Sequence, residues 1–263
     1  MRLYLEVARK SFRRQMAYRT ANLAGIAVNF FFTCLRVFIF TSVLAHRTQV
    51  AGYNVPQIVT YMCLTEALMM TAGAIGHWEL MDSVITGQVA MDLARPWDFF
   101  FYWLSRNLGR AAYFAVFRGI PLFLLSRVIF QIQLPANGLT AVLFLVSLCL
   151  AMLVSSALGF LTNFTAMWTT DARGVASMVT TVMWFFSGML LPPEFLPHWL
   201  RTLVWWLPFQ AQLYAPTTIY LGRTGELDRG QLLALQALWA LILMGVGKAM
   251  LAAGQRKLTI QGG

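Results

Sequence analysis

Three charged residues stand deep inside long apolar runs of the sequence: Arg36, Glu66 and Arg118. A charge within a membrane span is costly, so each is a candidate functional residue. Arg36 lies nine residues before Ala45, and Glu66 lies ten residues after Pro56. At about 1.5 Å per residue, both charges lie roughly 14–15 Å from one membrane surface. We predict an intramembrane ion pair, which either pins two helices together or supplies a polar group on a substrate path.

Arg118 has no second carboxylate to pair with, because Glu66 is the only acidic residue deep in any apolar run. It can share Glu66, bond to backbone carbonyls, or face a wet cavity that accepts an anionic group, which makes it a candidate substrate-pathway residue. Pro121 follows three residues later, and we expect it to disturb the helix there.

The other reactive residues form no pattern that supports catalysis or metal binding. Gly247-Lys248-Ala249 lacks the first glycine and the hydroxyl of a nucleotide-binding loop. The sequence also shows no nucleophile with a neighbouring general base, as an active site would need. We therefore predict no catalytic, cofactor-binding or metal site in this chain, and no enzyme activity. The remaining candidates are scattered, with no zinc or disulfide spacing: His46, His77, His198, Cys34, Cys63 and Cys149.

The elements that position these residues follow from composition. Of 263 residues, 59% are hydrophobic and 11% are charged, which excludes an ordinary soluble domain and a disordered chain. We predict one all-α, polytopic membrane domain over residues 1–263. Its six transmembrane helices correspond to the apolar runs 20–45, 56–77, 111–130, 139–168, 175–191 and 231–254.

The positions of the basic residues predict the orientation. The chain has 20 Lys and Arg against 10 Asp and Glu, for a net charge of +10. Basic residues concentrate before the first run and after the last, which predicts that both termini are cytoplasmic. No basic segment is interleaved with aromatic residues in a soluble stretch, so we expect no nucleic-acid partner.

The first nineteen residues predict an amphipathic helix. Leu5, Ala8, Phe12 and Met16 recur at helical spacing, and basic residues fill the other face. Such a helix lies in the headgroup plane with its basic face toward anionic membrane lipid. It can also act simply as a topology signal, and the two roles are compatible.

Two connections between the runs carry further patterns. In residues 78–97, Leu80, Val84 and Ile85 can form one apolar stripe on a short helix that ends at Gly87. Such a helix can dock into a partner's groove, and the alternative is an ordinary surface loop. Residues 192–216 are too apolar for a solvated loop and too rich in proline to span. They predict short re-entrant helices in the outer leaflet, between the fifth and sixth spans.

With these patterns the chain resembles the permease subunit of an ABC-2-type (type V) exporter. The resemblance rests on the basic N-terminal helix and on two motifs. They are Ile85…Gly87…Leu93-Ala94-Arg95-Pro96 and Ser187-Gly188-Met189…Pro192…Leu196-Pro197-His198-Trp199-Leu200…Pro208-Phe209. The last two residues, Gly262-Gly263, resemble those of a bacterial subgroup of ABC-2 permeases that pairs two different membrane subunits with one ATPase.

The resemblance implies partners and roles for single residues. A separate ABC ATPase subunit would hold ATP and Mg and contact the coupling residues, and a second permease subunit, identical or different, would complete the pathway. The N-terminal helix would be the elbow helix close to that ATPase. The implied coupling residues are Glu79, Leu80, Asp82, Ser83, Val84 and Gly87; the implied pathway residues are Glu66, Thr181, Trp184 and Phe185; the implied outer gate is Pro192, Pro197, Trp199 and Trp205.

The function expected from the resemblance is export of an amphipathic, hydrophobic or lipid-like cargo across a bacterial inner membrane. An ion-coupled secondary transporter or channel is an alternative, although it calls for an inverted repeat or several midplane carboxylates, and the sequence has only Glu66. A membrane assembly scaffold without cargo fits the charge distribution equally well.

Overall fold

The structure is a computed structural model that describes residues 2–45, 49–72, 78–169, 172–223 and 227–256. Within these ranges it is α-helical, with one isolated β-bridge between Val50 and Tyr53 and no strand. The all-α class is therefore confirmed for the described part of the chain. His46, His77 and the closing Gly262-Gly263 lie outside it.

The helices follow one another with short connections. In chain order they are α1 Arg2–Gln15, α2 Arg19–Leu44, α3 Val55–Ala72, α4 Glu79–Ile85, α5 Val89–Leu93, α6 Phe99–Phe114, α7 Ile120–Phe130, α8 Gly138–Phe164, α9 Arg173–Phe186, α10 His198–Trp205, α11 Tyr214–Leu221 and α12 Arg229–Gln255. Short 3₁₀ turns cover Met16–Tyr18, Thr165–Met167, Pro193–Phe195 and Pro208–Ala211. A π-helical turn, Ala115–Gly119, joins α6 to α7.

Side-chain caps fix the starts of three long helices. The Asp98 carboxylate accepts a hydrogen bond from the backbone N–H of Phe101 at 3.0 Å at the start of α6. The Asn137 side chain caps α8 in the same way. Asp228 and Gln231 form a reciprocal capping box at α12. Such caps satisfy backbone N–H groups that have no partner inside the helix, so these boundaries are set locally.

Four helical stretches of the described chain are long and apolar enough to cross a membrane: Thr20–Leu44, Phe99–Phe130, Gly138–Met167 and Arg229–Gln255. The predicted second and fifth spans correspond to α3, with 18 residues, and α9, with 14. Neither is among those four. The crossing of the membrane by α3 and α9 therefore stays a prediction.

The third long helix begins earlier than the sequence predicts. The apolar run indicated a start at residue 111, but α6 starts at Phe99, because the Asp98 cap precedes an aromatic stretch that packs against the body of the protein. Ahead of Pro121 the helix widens into the π turn. Proline has no N–H to donate and its ring crowds the preceding turn, which accounts for the irregularity there.

The centre of the bundle is built from α3, α8 and α11. Residues 58–68 of α3 and 210–220 around α11 are all buried. By contrast, the surface carries large exposed apolar side chains, among them Phe31, Phe38 and Val128. A soluble protein rarely exposes so many, whereas a lipid-facing surface requires them.

Helix α1 lies lengthwise along α6. Tyr4 contacts Phe101, and Phe12 packs edge-on against Tyr113. Gly109 allows this approach, because a Cβ there would strike the Ala8 carbonyl. Part of the apolar face predicted to enter lipid is therefore covered by protein.

Candidate functional site

The Arg36 guanidinium lies between α2 and α3. Its Nη1 is 3.1 Å from Glu66 Oε2, and the two side chains are 13% and 4% exposed. Nη2 also donates to Thr65 Oγ1 at 3.3 Å and to the carbonyl of Met189. The structure thus brings together the two charges that the sequence placed at one depth, and it adds a third element, the turn after α9.

That turn, residues 187–189, is held from several sides. The Tyr61 hydroxyl donates to the Gly188 carbonyl at 2.8 Å, and the backbone N–H of Tyr214 donates to the Ser187 carbonyl at 2.9 Å. Gly188 has a φ of +81°, in the left-handed region that favours glycine. The end of α9 is therefore locked to α3 and α11 at the level of the ion pair.

A second polar cluster lies around Glu194, which sequence analysis did not single out. Its Oε1 accepts from the Tyr214 hydroxyl at 2.7 Å, and the Tyr53 hydroxyl lies 3.4 Å from both carboxylate oxygens. The Arg223 guanidinium lies 3.7 Å above the Tyr53 ring. Burial, together with Glu194, raises the pKa of Tyr53 well above its ordinary value, so its phenol remains a donor. The sequence feature that could have identified Glu194 is its carboxylate within the otherwise apolar stretch that begins Pro192-Pro193.

Arg118 projects from the π turn toward α2. Its guanidinium lies 5.6 Å from the Phe114 ring and occupies the space that a Cβ at Gly25 would fill. Among the described residues Arg118 forms no ion pair, and its Nε is buried without a hydrogen-bond partner. Phe117, next to it, lines an open cavity of about 480 Å³ between α2 and α6. Glu66, which the sequence offered as a possible partner of Arg118, is bonded to Arg36.

The other implied pathway residues lie apart from Glu66. Thr181, Trp184 and Phe185 are exposed on α9, whereas Glu66 is buried. Only Ala176 and Met183 of α9 are buried. Helix α9 thus presents an apolar, largely uncovered face, and its connection to the ion pair runs through Met189.

The implied outer-gate residues have different environments. Pro192 is buried, Pro197 is exposed, and Trp199 is 70% exposed at the start of α10. Trp205 packs edge-on against Tyr214 with ring centroids 5.4 Å apart. Only Pro192 and Trp205 therefore belong to the packed region around Glu194.

On the cytoplasmic side predicted from the charges, residues 78–97 form α4 and α5 joined at Gly87, whose φ is +76°. Leu80 and Ser83 are buried and Val84 is half-buried, so they anchor the segment. Asp82 and Gly87 are exposed, as are two apolar side chains, Ile85 at 46% and Met91 at 65%.

Glu79 connects this segment to two other helices. Its carboxylate lies 3.2 Å from Arg14 on α1 and also pairs with Arg106 on α6. Asp82 lies 4.0 Å from Arg173 at the start of α9. Of the six implied coupling residues, Glu79, Leu80 and Ser83 thus make contacts within the chain and Val84 is partly covered. Asp82 is exposed but pairs with Arg173, and Gly87 is exposed.

The described residues contain no group of three His, Cys, Asp or Glu side chains that could hold a metal ion. A family model described as "ABC-2 family transporter protein" matches residues 30–262. No curated protein matches the chain.

Proposed function

The chain belongs to the ABC-2 transporter family, and we propose that it is the membrane subunit of an ATP-driven exporter in a bacterial inner membrane. Membership makes it a multi-pass membrane protein and a transport subunit without an ATPase domain. In the proposed complex a separate ABC ATPase binds ATP and Mg, and both ends of this chain are cytoplasmic.

The observation that carries the proposal is the exposed surface of α4 and α5. Ile85 and Met91 are open apolar side chains on a segment whose other face is anchored by Leu80 and Ser83. A short helix of this kind can enter a groove on a partner. We call Asp82, Ile85, Gly87 and Met91 the coupling surface and assign it to the ATPase.

The coupling surface is mechanically connected to the membrane helices. Glu79 joins α4 to α1 and α6, and Asp82 reaches Arg173 on α9. Closure of the ATPase would therefore move several helices together and shift the chain between inward-open and outward-open states.

The pathway is proposed to form where α9 meets a second permease subunit. On α9, the side chains of Thr181, Trp184 and Phe185 are exposed, so a second subunit can cover them. Aromatic and apolar side chains favour an amphipathic, hydrophobic or lipid-like cargo, and Arg118 would attract an anionic group on that cargo.

Copurification tests the proposal. Tagged full-length chain extracted from its native membrane is expected to bring down a P-loop ATPase, and the double variant Ile85→Asp/Met91→Asp is expected to lose it, because each change puts a charge into an apolar contact. Leu139→Asp on α8 is the matched control, since Leu139 is 64% exposed but lies near the other end of the bundle.

Absence of any ATPase from the wild-type pull-down, or transport by the purified chain alone, would contradict the proposal and favour an ion-coupled transporter or a scaffold. Equal loss of the ATPase in Leu139→Asp would show that the coupling surface has been misplaced.

A further inference from the structure

A basic cavity lies between α1 and the start of α6. It has a volume of about 360 Å³, room for several waters at about 30 Å³ each. Its lining combines three cations with apolar and aromatic walls: Leu3, Val7, Lys10, Ser11, Arg14, Trp97, Tyr102 and Arg106. Mixed walls of this kind suit a ligand that is anionic at one end and apolar at the other.

The charges at this cavity are not balanced within the protein. Arg14 and Arg106 share the single carboxylate of Glu79. Each guanidinium has five N–H donors, so both retain donors after bonding to Glu79. Lys10 is exposed on the same wall and adds a third positive charge. The cavity therefore carries an excess of positive charge that an anion would neutralise.

An unpartnered donor lies in the aromatic wall. The Trp97 and Tyr102 rings stack with centroids 5.2 Å apart and an interplanar angle of 9°. The Trp97 indole N–H is buried and has no hydrogen-bond partner among the described residues. Because this N–H is closed off from solvent, Trp97 contributes an apolar wall to the cavity rather than a donor.

The depth of the cavity favours a lipid headgroup over a soluble anion. The helical stretch Phe99–Phe130 has 32 residues, about 48 Å, against a hydrocarbon core of about 30 Å. With Phe130, where α7 ends, at one boundary of the core, the other boundary lies about 20 residues away, at the level of Arg110. Arg106 lies about 6 Å beyond it, at the level of lipid phosphates.

We propose that this cavity binds the phosphate headgroup of an anionic phospholipid of the adjacent leaflet. Lys10, Arg14 and Arg106 bind the phosphate. The bound lipid clamps α1 against α6. The inference requires only that α6 crosses the membrane and does not depend on which motor drives transport.

Native mass spectrometry of the detergent-solubilised full chain tests the site. Phosphatidylglycerol is expected to bind in preference to phosphatidylcholine. Lys10→Gln, which removes a positive charge that forms no ion pair among the described residues, is expected to weaken phosphatidylglycerol binding about fivefold. Lys10→Gln/Arg14→Gln is expected to weaken it about 25-fold, since a basic residue near an anionic surface contributes about 1 kcal/mol. Arg13→Gln is the matched control, because Arg13 is exposed on α1 but does not line the cavity.

Three results would overturn the inference. Equal weakening by Arg13→Gln would show diffuse attraction to the basic helix rather than a site. Competition by millimolar inorganic phosphate as effective as that by the lipid would show a soluble anion site. Unchanged lipid binding in the double variant together with loss of a copurified protein would show a protein contact.

Discussion

At the scale of residues, the main question is what a buried charge pair does in a membrane protein. Arg36 and Glu66 are almost removed from solvent, and Arg36 donates to both Glu66 and Thr65. Burial of two charges costs nearly as much as their attraction returns, so the pair contributes little net stability. Removal of one partner is different, because the other charge is left buried and uncompensated.

Glu66→Ala is therefore expected to destabilise the protein by about 3–5 kcal/mol, with thermal unfolding in detergent as the measurement. The apolar double variant Arg36→Met/Glu66→Leu should recover most of this loss. If the recovered protein also transports, the pair is structural; if it folds but does not transport, the pair lies on the substrate path. A Glu66→Ala protein as stable as wild type would contradict the buried geometry.

Gly188 gives a second prediction at this scale. Gly188→Ala is expected to lower the stability by about 1–3 kcal/mol, because φ is +81° and the new Cβ would lie 3.0 Å from Tyr214 Cβ and strike the Tyr61 hydroxyl. Gly174→Ala in α9 is the control, since it has open space around it. Equal melting temperatures for the two variants would refute the constraint.

At the scale of elements, the end of the bundle that carries α4 is organised by one carboxylate. The family resemblance implies that Glu79 contacts the ATPase. In the fold, Glu79 pairs with Arg14 and Arg106 of the same chain. These residues come from α4, α1 and α6. Glu79 thus helps to position α4, and its contact with the ATPase stays a prediction, since 39% of its side chain is exposed.

Glu79→Gln is accordingly expected to loosen α1 while α4 stays folded, because Leu80 and Met81 remain buried beneath it. Faster amide hydrogen exchange in α1 measures this. Asp92→Asn is the matched control, since Asp92 pairs only locally with Arg95, three residues away. Equal exchange rates in the two variants would argue against a role for Glu79 in holding α1.

At the scale of the whole molecule, α3 and α11 are buried, whereas α9 lies at the periphery with one face uncovered. Whether α3 and α9 cross the membrane decides the topology. Six crossings put Arg13 and Gln88 on one side and Thr202 on the other. All three positions are exposed.

Single cysteines at these positions test this arrangement in a background without the exposed Cys149. An impermeant maleimide is expected to label Thr202→Cys in intact spheroplasts, and Arg13→Cys and Gln88→Cys only after permeabilisation. Labelling of Gln88→Cys and Thr202→Cys from the same side would mean that α9 does not cross. If only one of Arg13→Cys and Gln88→Cys is labelled in intact spheroplasts, the two positions lie on opposite sides, and α3 does not cross the membrane.

The sequence by itself determined the features that depend on local pattern. The lengths of the apolar runs placed α2, α8 and α12 within a few residues, and counting along two helices put Arg36 and Glu66 at one depth. The helical spacing and the glycine in residues 78–97 likewise indicated α4 and its end.

Only the tertiary structure decided which groups meet. It paired Glu79 with Arg14 and Arg106, gathered Tyr53 and Tyr214 around Glu194, and left Arg118 without a carboxylate partner in the part of the chain that it describes. These contacts join residues up to 141 positions apart. They depend on how helices pack, and a hydropathy pattern specifies which face of a helix is apolar but not which neighbour covers it.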